Sequence, residues 1–204
     1  KLIISSLLLA VIVVIIFNVG YTITSRSSLT ALSTNTATEE IDIKYRGLTI
    51  IAEALIANSK EDMDIKNNTL FLQQYIDKVS NEGGGIVKIP LGIYYFASSG
   101  VTRAGLSECV IKCKNNVLIE GSGVEETTGT ILKPYAPSNN LPVDMFYYNN
   151  YAETDGLDCT FLKNADFKNF VIDSADAYAT SYSSAGKGFM INLFKDCDFE
   201  NVVV

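Results

Sequence analysis

The sequence predicts an all-β solenoid that begins with a single capping α-helix, and three observations lead to this prediction. Two segments, Gly156–Ile172 and Gly188–Val204, align without a gap at a spacing of 32 residues. Between residues 86 and 133 the chain consists of short β-branched segments separated by turns. Only Thr69–Ser80 has clear helical periodicity. Because each repeated unit leaves an apolar face open, units of this period stack on one another to bury it.

The repeat predicts specific contacts between stacked coils. Stacking places the side-chain amide of Asn169 over that of Asn201, and the ring of Phe167 over that of Phe199. The aspartates that recur in the repeat are interpreted as turn-forming or solvated residues. The positions identical in the two copies are Gly156/Gly188, Lys163/Lys195, Asp166/Asp198, Phe167/Phe199, Asn169/Asn201 and Val171/Val203.

Residues 1–24 are predicted to form a transmembrane anchor or a signal segment. The stretch Leu2–Ile23 carries no charge, and about twenty apolar residues span a bilayer. Because signal h-regions are usually about 7–15 residues long, an anchor is favoured over a cleaved secretory signal. Lys1 then orients the N-terminus to the cytoplasm. Residues 25–40, rich in Ser and Thr, are predicted to be a flexible linker. The expected location is the cell surface or, if the segment is cleaved, the extracellular medium.

Residues 41–204 are predicted to form the folded domain. Ile41–Tyr45 alternates apolar and polar residues as a strand does, whereas Leu48–Ala57 fits a strand or a helix equally well. Asn115–Ile119 is similar to Asn169–Ile172 of the repeat, which predicts a third, shorter coil. Short strands without a further long helix favour a solenoid over alternating β–α units. The other predicted strands are Ile86–Ile89, Ile93–Phe96, Val110–Lys112, Val117–Ile119 and Ile131–Lys133.

The predicted helix has one apolar face and a marked end. Asn67 or Asn68 is expected to cap its start, because asparagine side chains accept hydrogen bonds from the first backbone N–H groups. Gly83–Gly85 is expected to end it, because glycine tolerates the left-handed conformation of a helix terminus. The residues of the apolar face recur at helical spacing: Leu72, Tyr75, Ile76 and Val79.

The amino-acid composition argues against several classes of function. The net charge of −7 argues against nucleic-acid binding, which needs clustered Lys and Arg. The sequence has no His, so it offers no imidazole as a base or metal ligand. Cys109 and Cys113 are expected to be free and buried, with a disulfide between them as the alternative. Cys159 and Cys197 occupy positions that are apolar or small in the other copy of the repeat and are interpreted as core residues.

The motifs around the helix resemble a known family. They are Lys66-Asn67-Asn68-Thr69, Leu72-Gln73, Ile76-Asp77, Gly84-Gly85-Ile86-Val87, and then Pro90, Gly92 and Tyr94. This order resembles the N-terminal cap of the pectate-lyase-like superfamily, whose members are right-handed parallel β-helices. Asp62 and Asp64 stand where the family has glycines. The resemblance implies that residues 41–204 are the N-terminal part of such a domain, with further coils expected beyond Val204.

The resemblance also implies a range of functions. The superfamily contains polysaccharide lyases, polygalacturonase-type hydrolases, uronate epimerases, and non-catalytic tailspikes and adhesins. The leading hypothesis is therefore an extracellular protein that processes an acidic polysaccharide, held at the membrane by its N-terminal helix. The alternative is a non-catalytic adhesin or tailspike-like protein that binds glycans. A third possibility is an unrelated all-β domain whose repeat is accidental.

Asp173 and Asp176 are the candidate groove residues, because they follow the repeated strand and open a long loop. Paired carboxylates serve glycoside hydrolysis, whereas the alternative is an ordinary loop role. Ca²⁺ is expected only if the protein is a lyase, where it would hold the substrate's acid group. Arg103 is interpreted as a surface or packing residue rather than a base. The tyrosines of the long loops are expected to stack on sugar rings or to cover the core: Tyr147, Tyr148, Tyr151, Tyr178 and Tyr182.

Overall fold

The computed structural model describes residue 45 and residues 47–103, 107–135, 141–148, 160–177 and 186–204, which form coils of short strands behind one helix, α1 (Asp62–Asn81). The strands in these ranges are β1 (Leu48–Ile51), β2 (Gly85–Lys88), β3 (Gly92–Phe96), β4 (Val101–Arg103), β5 (Ser107–Lys112), β6 (Val117–Glu120), β7 (Thr130–Pro134), β8 (Val143–Tyr148), β9 (Leu162–Lys163), β10 (Ala165–Ile172), β11 (Phe189–Ile191), β12 (Phe194–Lys195) and β13 (Phe199–Val203).

The strands stack in parallel on three faces. The first face contains β1, β2, β6 and the first half of β10, and the second contains β3, β7 and the second half of β10. The third contains β5, β8 and β11, and β13 pairs with β10. Among the described strands, only β4 and β5 pair in an antiparallel manner. Parallel stacking of successive coils confirms the predicted all-β solenoid.

The repeat forms the contacts that its sequence predicts. Phe167 pairs in register with Phe199, and their rings stack with centroids 5.1 Å apart and planes 14° from parallel. The Nδ2 atom of Asn201 donates a hydrogen bond of 3.0 Å to Oδ1 of Asn169. The repeat is therefore a structural one, which excludes an accidental similarity.

Two details of the predicted stacking are wrong. Val117 pairs with Ala165, so the strand of the earlier coil stacks on the start of β10 and Asn116 lies beside Asn164 rather than Asn169. Asp166 lies within β10 and is buried, with Oδ1 accepting a 2.8 Å hydrogen bond from the backbone N–H of Asp198. It therefore ties two coils together instead of forming a solvated turn.

A column of left-handed backbone marks one corner of the coils. Positive φ angles occur at Gly84 (120°), Asn116 (62°), Asn164 (51°) and Asp196 (56°), each immediately before or near the start of the first face. Asparagine and aspartate tolerate this conformation better than other non-glycine residues. The Nδ2 atom of Asn164 also donates to Oδ1 of Asn116 at 2.9 Å. The corner is thus set by residue type and reinforced by an amide ladder.

Helix α1 begins earlier than predicted. It starts at Asp62 after Glu61, and acidic Asp62 and Asp64 in its first turn complement the positive end of the helix dipole. The predicted capping role of Asn67 or Asn68 is wrong because both lie inside the helix, and Asn68 is completely buried. The predicted end is confirmed, since the helix stops before Gly83–Gly85, where all three φ angles are positive.

The core lies inside the coils and under the helix. The predicted helix face is confirmed, since Leu72, Ile76 and Val79 are buried and Tyr75 packs partly against the core. Deeper in the stack the ring of Phe146 lies among other aromatic rings. Burial of such large apolar side chains is the main stabilising contribution to the fold. These rings are those of Phe167, Phe170 and Phe189.

Cys109 and Cys113, two of the described cysteines, do not form the disulfide that the sequence offered as an alternative. Both side chains are buried, and the disulfide alternative is wrong. Burial raises the pKa of the Cys113 thiol, which keeps it protonated and unreactive. Cys197 is half-buried, and its Sγ lies 3.5 Å from the backbone nitrogen of Ala165 in the preceding coil. Cys159 lies outside the described residues.

The predicted N-terminal segments fall outside the described residues. The anchor or signal at 1–24, the linker at 25–40 and most of the strand Ile41–Tyr45 are in this part of the chain. Within the residues that the structure does describe, no helix has both the length and the apolar character needed to cross a bilayer. Leu48–Ala57, which the sequence left undecided, contains strand β1 and then turns.

Candidate functional site

Three polar side chains lie in a row on the outside of the second face. Along each strand the side chains alternate, so that Tyr94 and Leu132 point into the core while Tyr95 and Lys133 point outward. Tyr95 of β3 pairs in register with Lys133 of β7. Asp173 follows the end of β10, and its backbone N–H donates a 3.0 Å hydrogen bond to the carbonyl of Leu132. Neighbouring coils therefore bring Tyr95, Lys133 and Asp173 side by side.

Lys133 and Asp173 form a tight ion pair. Their Nζ and Oδ2 atoms are 2.6 Å apart, and the lysine side chain is only 19% exposed. The hydrogen bond from Lys133, with a further one from the backbone N–H of Ala175, lowers the pKa of the Asp173 carboxyl. The hydrogen bond to Asp173 in turn raises the pKa of Lys133. Both side chains therefore hold their charge firmly at neutral pH.

A second lysine reaches the same place from the segment before α1. The Nζ atom of Lys60 lies 4.9 Å from the ring centroid of Tyr95 and 5.1 Å from that of Tyr135. It also lies 3.5 Å from Oδ2 of Asp176. The two tyrosine rings contact each other edge to face, with centroids 5.7 Å apart. Cation–π attraction holds an ammonium group over such rings.

We call this group the Lys–Tyr–Asp cluster. It combines two aromatic faces with two cations and two carboxylates on the outer surface of adjacent coils. Aromatic faces stack on the apolar faces of ring-shaped ligands, while the charged groups donate and accept hydrogen bonds around them. The firmly held charges of Lys133 and Asp173 suit binding better than proton transfer near neutral pH. The cluster consists of Lys60, Tyr95, Lys133, Tyr135, Asp173 and Asp176.

The structure brings both predicted groove residues into this cluster. Asp173 and Asp176 share the turn after β10, and each carboxylate contacts a lysine. Of the predicted tyrosines, Tyr147 and Tyr148 are buried in β8 and cover the core, which is the second of their two predicted roles. The three others, and the side chain of Arg103, lie outside what the structure describes: Tyr151, Tyr178 and Tyr182.

Sequence reasoning missed four members of the cluster. A signal existed for Tyr95 and Lys133, because Ile93–Phe96 and Ile131–Lys133 are short strands whose outward positions coincide when the strands are stacked. No comparable signal existed for Lys60, which is 116 residues from its partner Asp176. Only the tertiary fold reveals that this lysine belongs to the site.

The described residues do not fit a calcium site. Ca²⁺ needs about six to eight oxygen ligands, several of them carboxylates. Within the described ranges, no three acidic or cysteine side chains converge on one point. Asp173 and Asp176 are both engaged by lysines, whose positive charge opposes cation binding. We therefore assign no chemical step to a metal at this cluster.

A separate open groove of about 290 Å³ lies at the opposite end of the first face from the left-handed corner, where β1, β2 and β6 end. Its polar side chains are already paired, since Nζ of Lys88 lies 3.3 Å from Oε2 of Glu120. The Oγ atom of Ser122 donates to the carbonyl of Ile89 at 3.3 Å. The lining residues are Ile51, Lys88, Ile89, Pro90, Glu120, Gly121 and Ser122.

Parallel coils behind a capping helix define a parallel β-helix protein. No protein-family model matches the sequence, and no curated protein does. Among solved structures, the chain is similar to the A-modules of two mannuronan C-5 epimerases of Azotobacter vinelandii, AlgE4 (18% identity, TM-score 0.51) and AlgE6 (17% identity, TM-score 0.52). Each match covers 74% of this chain.

The chain is similar to only part of each of these modules, at low sequence identity. The chain spans 37% of the AlgE4 module and 36% of the AlgE6 module, which is well under half of each. At these identities the likeness demonstrates a shared fold, and a fold hosts many functions. The resemblance found in the sequence is confirmed for the parallel β-helix fold, and the function has to be argued from the site.

Proposed function

We propose that this protein is an extracellular, polysaccharide-processing β-helix protein that binds an acidic glycan at the Lys–Tyr–Asp cluster. The observation that carries the proposal is the meeting of two tyrosine rings, two lysines and two aspartates on adjacent coils. Tyrosine rings offer flat apolar surfaces to sugar rings, and the charged groups can bond sugar hydroxyl and carboxylate groups. Such a mixture of aromatic and polar groups is typical of ligand sites with defined orientation.

The geometry of the coils supports a polymeric ligand. Tyr95 and Lys133 belong to neighbouring strands of one face and Asp173 follows the next strand, β10, and parallel strands lie about 4.7–4.9 Å apart. A chain-like ligand laid along the stack would therefore meet an aromatic, a cationic and an anionic group in turn. The shared fold with two mannuronan C-5 epimerase modules agrees with a polysaccharide as ligand.

A binding role without catalysis is the second candidate. It is favoured by one observation, the mutual stabilisation of charge in the Lys133–Asp173 pair. A general acid or base works best when its pKa lies near the operating pH. Pairing instead lowers the pKa of Asp173 and raises that of Lys133, so both values lie further from neutral pH. In that case the protein is an adhesin or tailspike-like protein that displays a glycan-binding surface.

The export of the protein is part of the proposal. Its basis is the uncharged stretch Leu2–Ile23 followed by the Ser/Thr-rich residues 25–40, which together suit a membrane-anchored or secreted protein. Fractionation of cells that express the whole reading frame, followed by protease treatment of intact cells, tests it. Protection of the domain from external protease would contradict an extracellular location.

The proposal is tested by measuring binding and cleavage together. The full chain is incubated with pectin, polygalacturonate and alginate, while calorimetry reports binding and size-exclusion chromatography reports shortened or altered products. Replacing both tyrosines, Tyr95→Ala with Tyr135→Ala, should weaken binding by about tenfold or more, because two stacking surfaces are lost. Product release that depends on the tyrosines supports processing, and binding without product supports the second candidate.

A matched control separates site effects from surface effects. Lys168→Gln removes a lysine that is paired with Glu200 at 3.0 Å on another part of the outer surface. It should leave binding unchanged. Absence of binding to every polymer of the panel, or unchanged affinity in the double tyrosine variant, would sink the assignment of the cluster.

A further inference from the structure

The two lysines of the Lys–Tyr–Asp cluster differ in how firmly they are held. Lys133 is 19% exposed and lies 2.6 Å from Asp173, whereas Lys60 is 49% exposed and lies 3.5 Å from Asp176. Charge-assisted hydrogen bonds are usually about 2.7–2.9 Å long, so the Lys60 contact is a loose one. Exposed ion pairs of this kind contribute little to stability. Lys60 can therefore exchange its partner without leaving a buried charge unpaired.

Lys60 is also placed where a stacked sugar would lie. Its Nζ is 4.9 Å from the Tyr95 ring centroid and 5.1 Å from that of Tyr135. A sugar ring on either tyrosine would carry its substituents next to this ammonium group. Two carboxylates also face this space, of which Asp173 is neutralised by Lys133 and Asp176 only loosely by Lys60. An anionic substituent can compensate the charge of Lys60, whereas a neutral hydroxymethyl group cannot.

We propose that Lys60 determines the charge class of the saccharide, so that the cluster selects sugars that bear a carboxylate over the corresponding neutral sugars. The inference rests on the proposed glycan-binding function and adds the residue that reads the ligand's charge. Lys60 belongs to the segment that precedes the capping helix α1, so the cap of the solenoid takes part in recognition as well as in covering the core.

The test compares each polymer with its own neutral counterpart. Polygalacturonate and alginate are each used in native form and after reduction of their carboxylates to primary alcohols. The wild-type chain should bind at least one native polymer more tightly than the reduced form. Lys60→Gln should weaken binding of that native polymer by about tenfold while leaving the reduced polymer unaffected, because only the charge contact is removed. Lys60→Arg, which keeps the charge, should retain the preference.

Controls keep the two proposals distinguishable. Lys168→Gln, which removes another ion-paired lysine of the outer surface (36% exposed, against 49% for Lys60), should not alter the preference for the native polymer. Circular dichroism of each variant confirms folding, and Lys60 is exposed enough for its replacement to be tolerated. If the wild type binds native and reduced polymers equally, or if Lys60→Gln keeps the full preference, the role of Lys60 is refuted while glycan binding stands. If neither form of either polymer binds, both proposals fail.

Discussion

Residue Asp173 illustrates how stacked coils create a charge pair that no single strand contains. Its carboxylate contacts Lys133 of the neighbouring coil, and the register of β7 and β10 sets their distance. The sequence predicted that Asp173 and Asp176 lie at a functional surface because both follow a repeated strand. It did not predict their lysine partners, because Lys60 comes from a distant segment and the outward position of Lys133 in its strand indicates only that it lies beside Tyr95.

The Lys133–Asp173 pair predicts a defined pH dependence of stability. The pKa of Asp173 is lowered on folding, so its contribution exists above the unfolded value of about 3.9 and is lost as pH falls through the folded value. The pKa of Lys133 is raised, so its contribution exists below about 10.4 and is lost as pH rises through the folded value. The pair therefore stabilises the fold across the window between these two limits.

Asp173→Asn should reveal this window. At neutral pH the variant should lose about 1 kcal/mol or less of unfolding free energy, because both partners are partly open to solvent. Urea denaturation at neutral pH and at about pH 3 measures the difference between variant and wild type, which should shrink in acid. Asp176→Asn, whose partner is 3.5 Å away, serves as the weaker control. An equal difference at both pH values would contradict the ion-pair account.

At the scale of elements, helix α1 is attached to the coils by side-chain amides that imitate backbone pairing. Asn68 accepts a hydrogen bond from the N–H of Ile56 at 2.7 Å and donates to the carbonyls of Ile56 and Tyr95 at 2.9 and 3.1 Å. Gln73 accepts from the N–H of Lys112 at 2.8 Å and donates to its carbonyl at 3.1 Å. The helix thus satisfies backbone groups at the end of the stack.

These amides explain why the helix face was predictable and its start was not. The apolar face follows from residue spacing, which the sequence contains directly. The start depends on the role of Asn68, since an asparagine near a helix start usually caps it. Here the same amide satisfies backbone groups of a turn and of β3, and the helix extends past it to Asp62. Local sequence cannot reveal that tertiary use.

Asn68→Leu should destabilise the protein by about 1–3 kcal/mol, because it removes the three hydrogen bonds that this fully buried amide makes to Ile56 and Tyr95. The neighbouring change Asn67→Ala, at a less buried position of the same helix, should cost less than about 1 kcal/mol. Chemical denaturation followed by circular dichroism compares the two variants with the wild type. Similar losses of unfolding free energy in both variants would mean that the hydrogen bonds of the Asn68 side-chain amide do not hold the helix against the coils.

At the scale of the whole molecule, the solenoid follows from the repeat and from the nature of the short strands. The 32-residue spacing predicted which residues stack, and the register of β10 and β13 confirms it. The third coil was matched in the wrong register because Asn116 resembles both Asn164 and Asn169 in sequence, and left-handed backbone occurs at all three. Only strand pairing distinguishes them.

The stacked phenylalanines allow a test of how much burial between coils contributes to the free energy of unfolding. Phe167 is fully enclosed and contacts the rings of Phe146, Phe189 and Phe199, so Phe167→Ala should cost about 3–5 kcal/mol. Phe161, which lies on an inner coil and is 44% exposed, should cost only about 1 kcal/mol when changed to alanine. Urea unfolding of the two variants gives the comparison. A smaller loss for Phe167→Ala than for Phe161→Ala would contradict a core that is buried by stacking.

The left-handed corner also decides where the molecule can accept added sequence. Asn116 and Asn164 are bonded neighbours although 48 residues separate them, whereas the stacked pair Asn169 and Asn201 is separated by 32. Coils of different length thus return to the same register, because the corner fixes where each strand begins. A peptide tag grafted into the longer coil at residues 125–128, an exposed turn between β6 and β7, should leave the corner intact, so the scaffold can display a foreign peptide without disturbing the stacking of its coils.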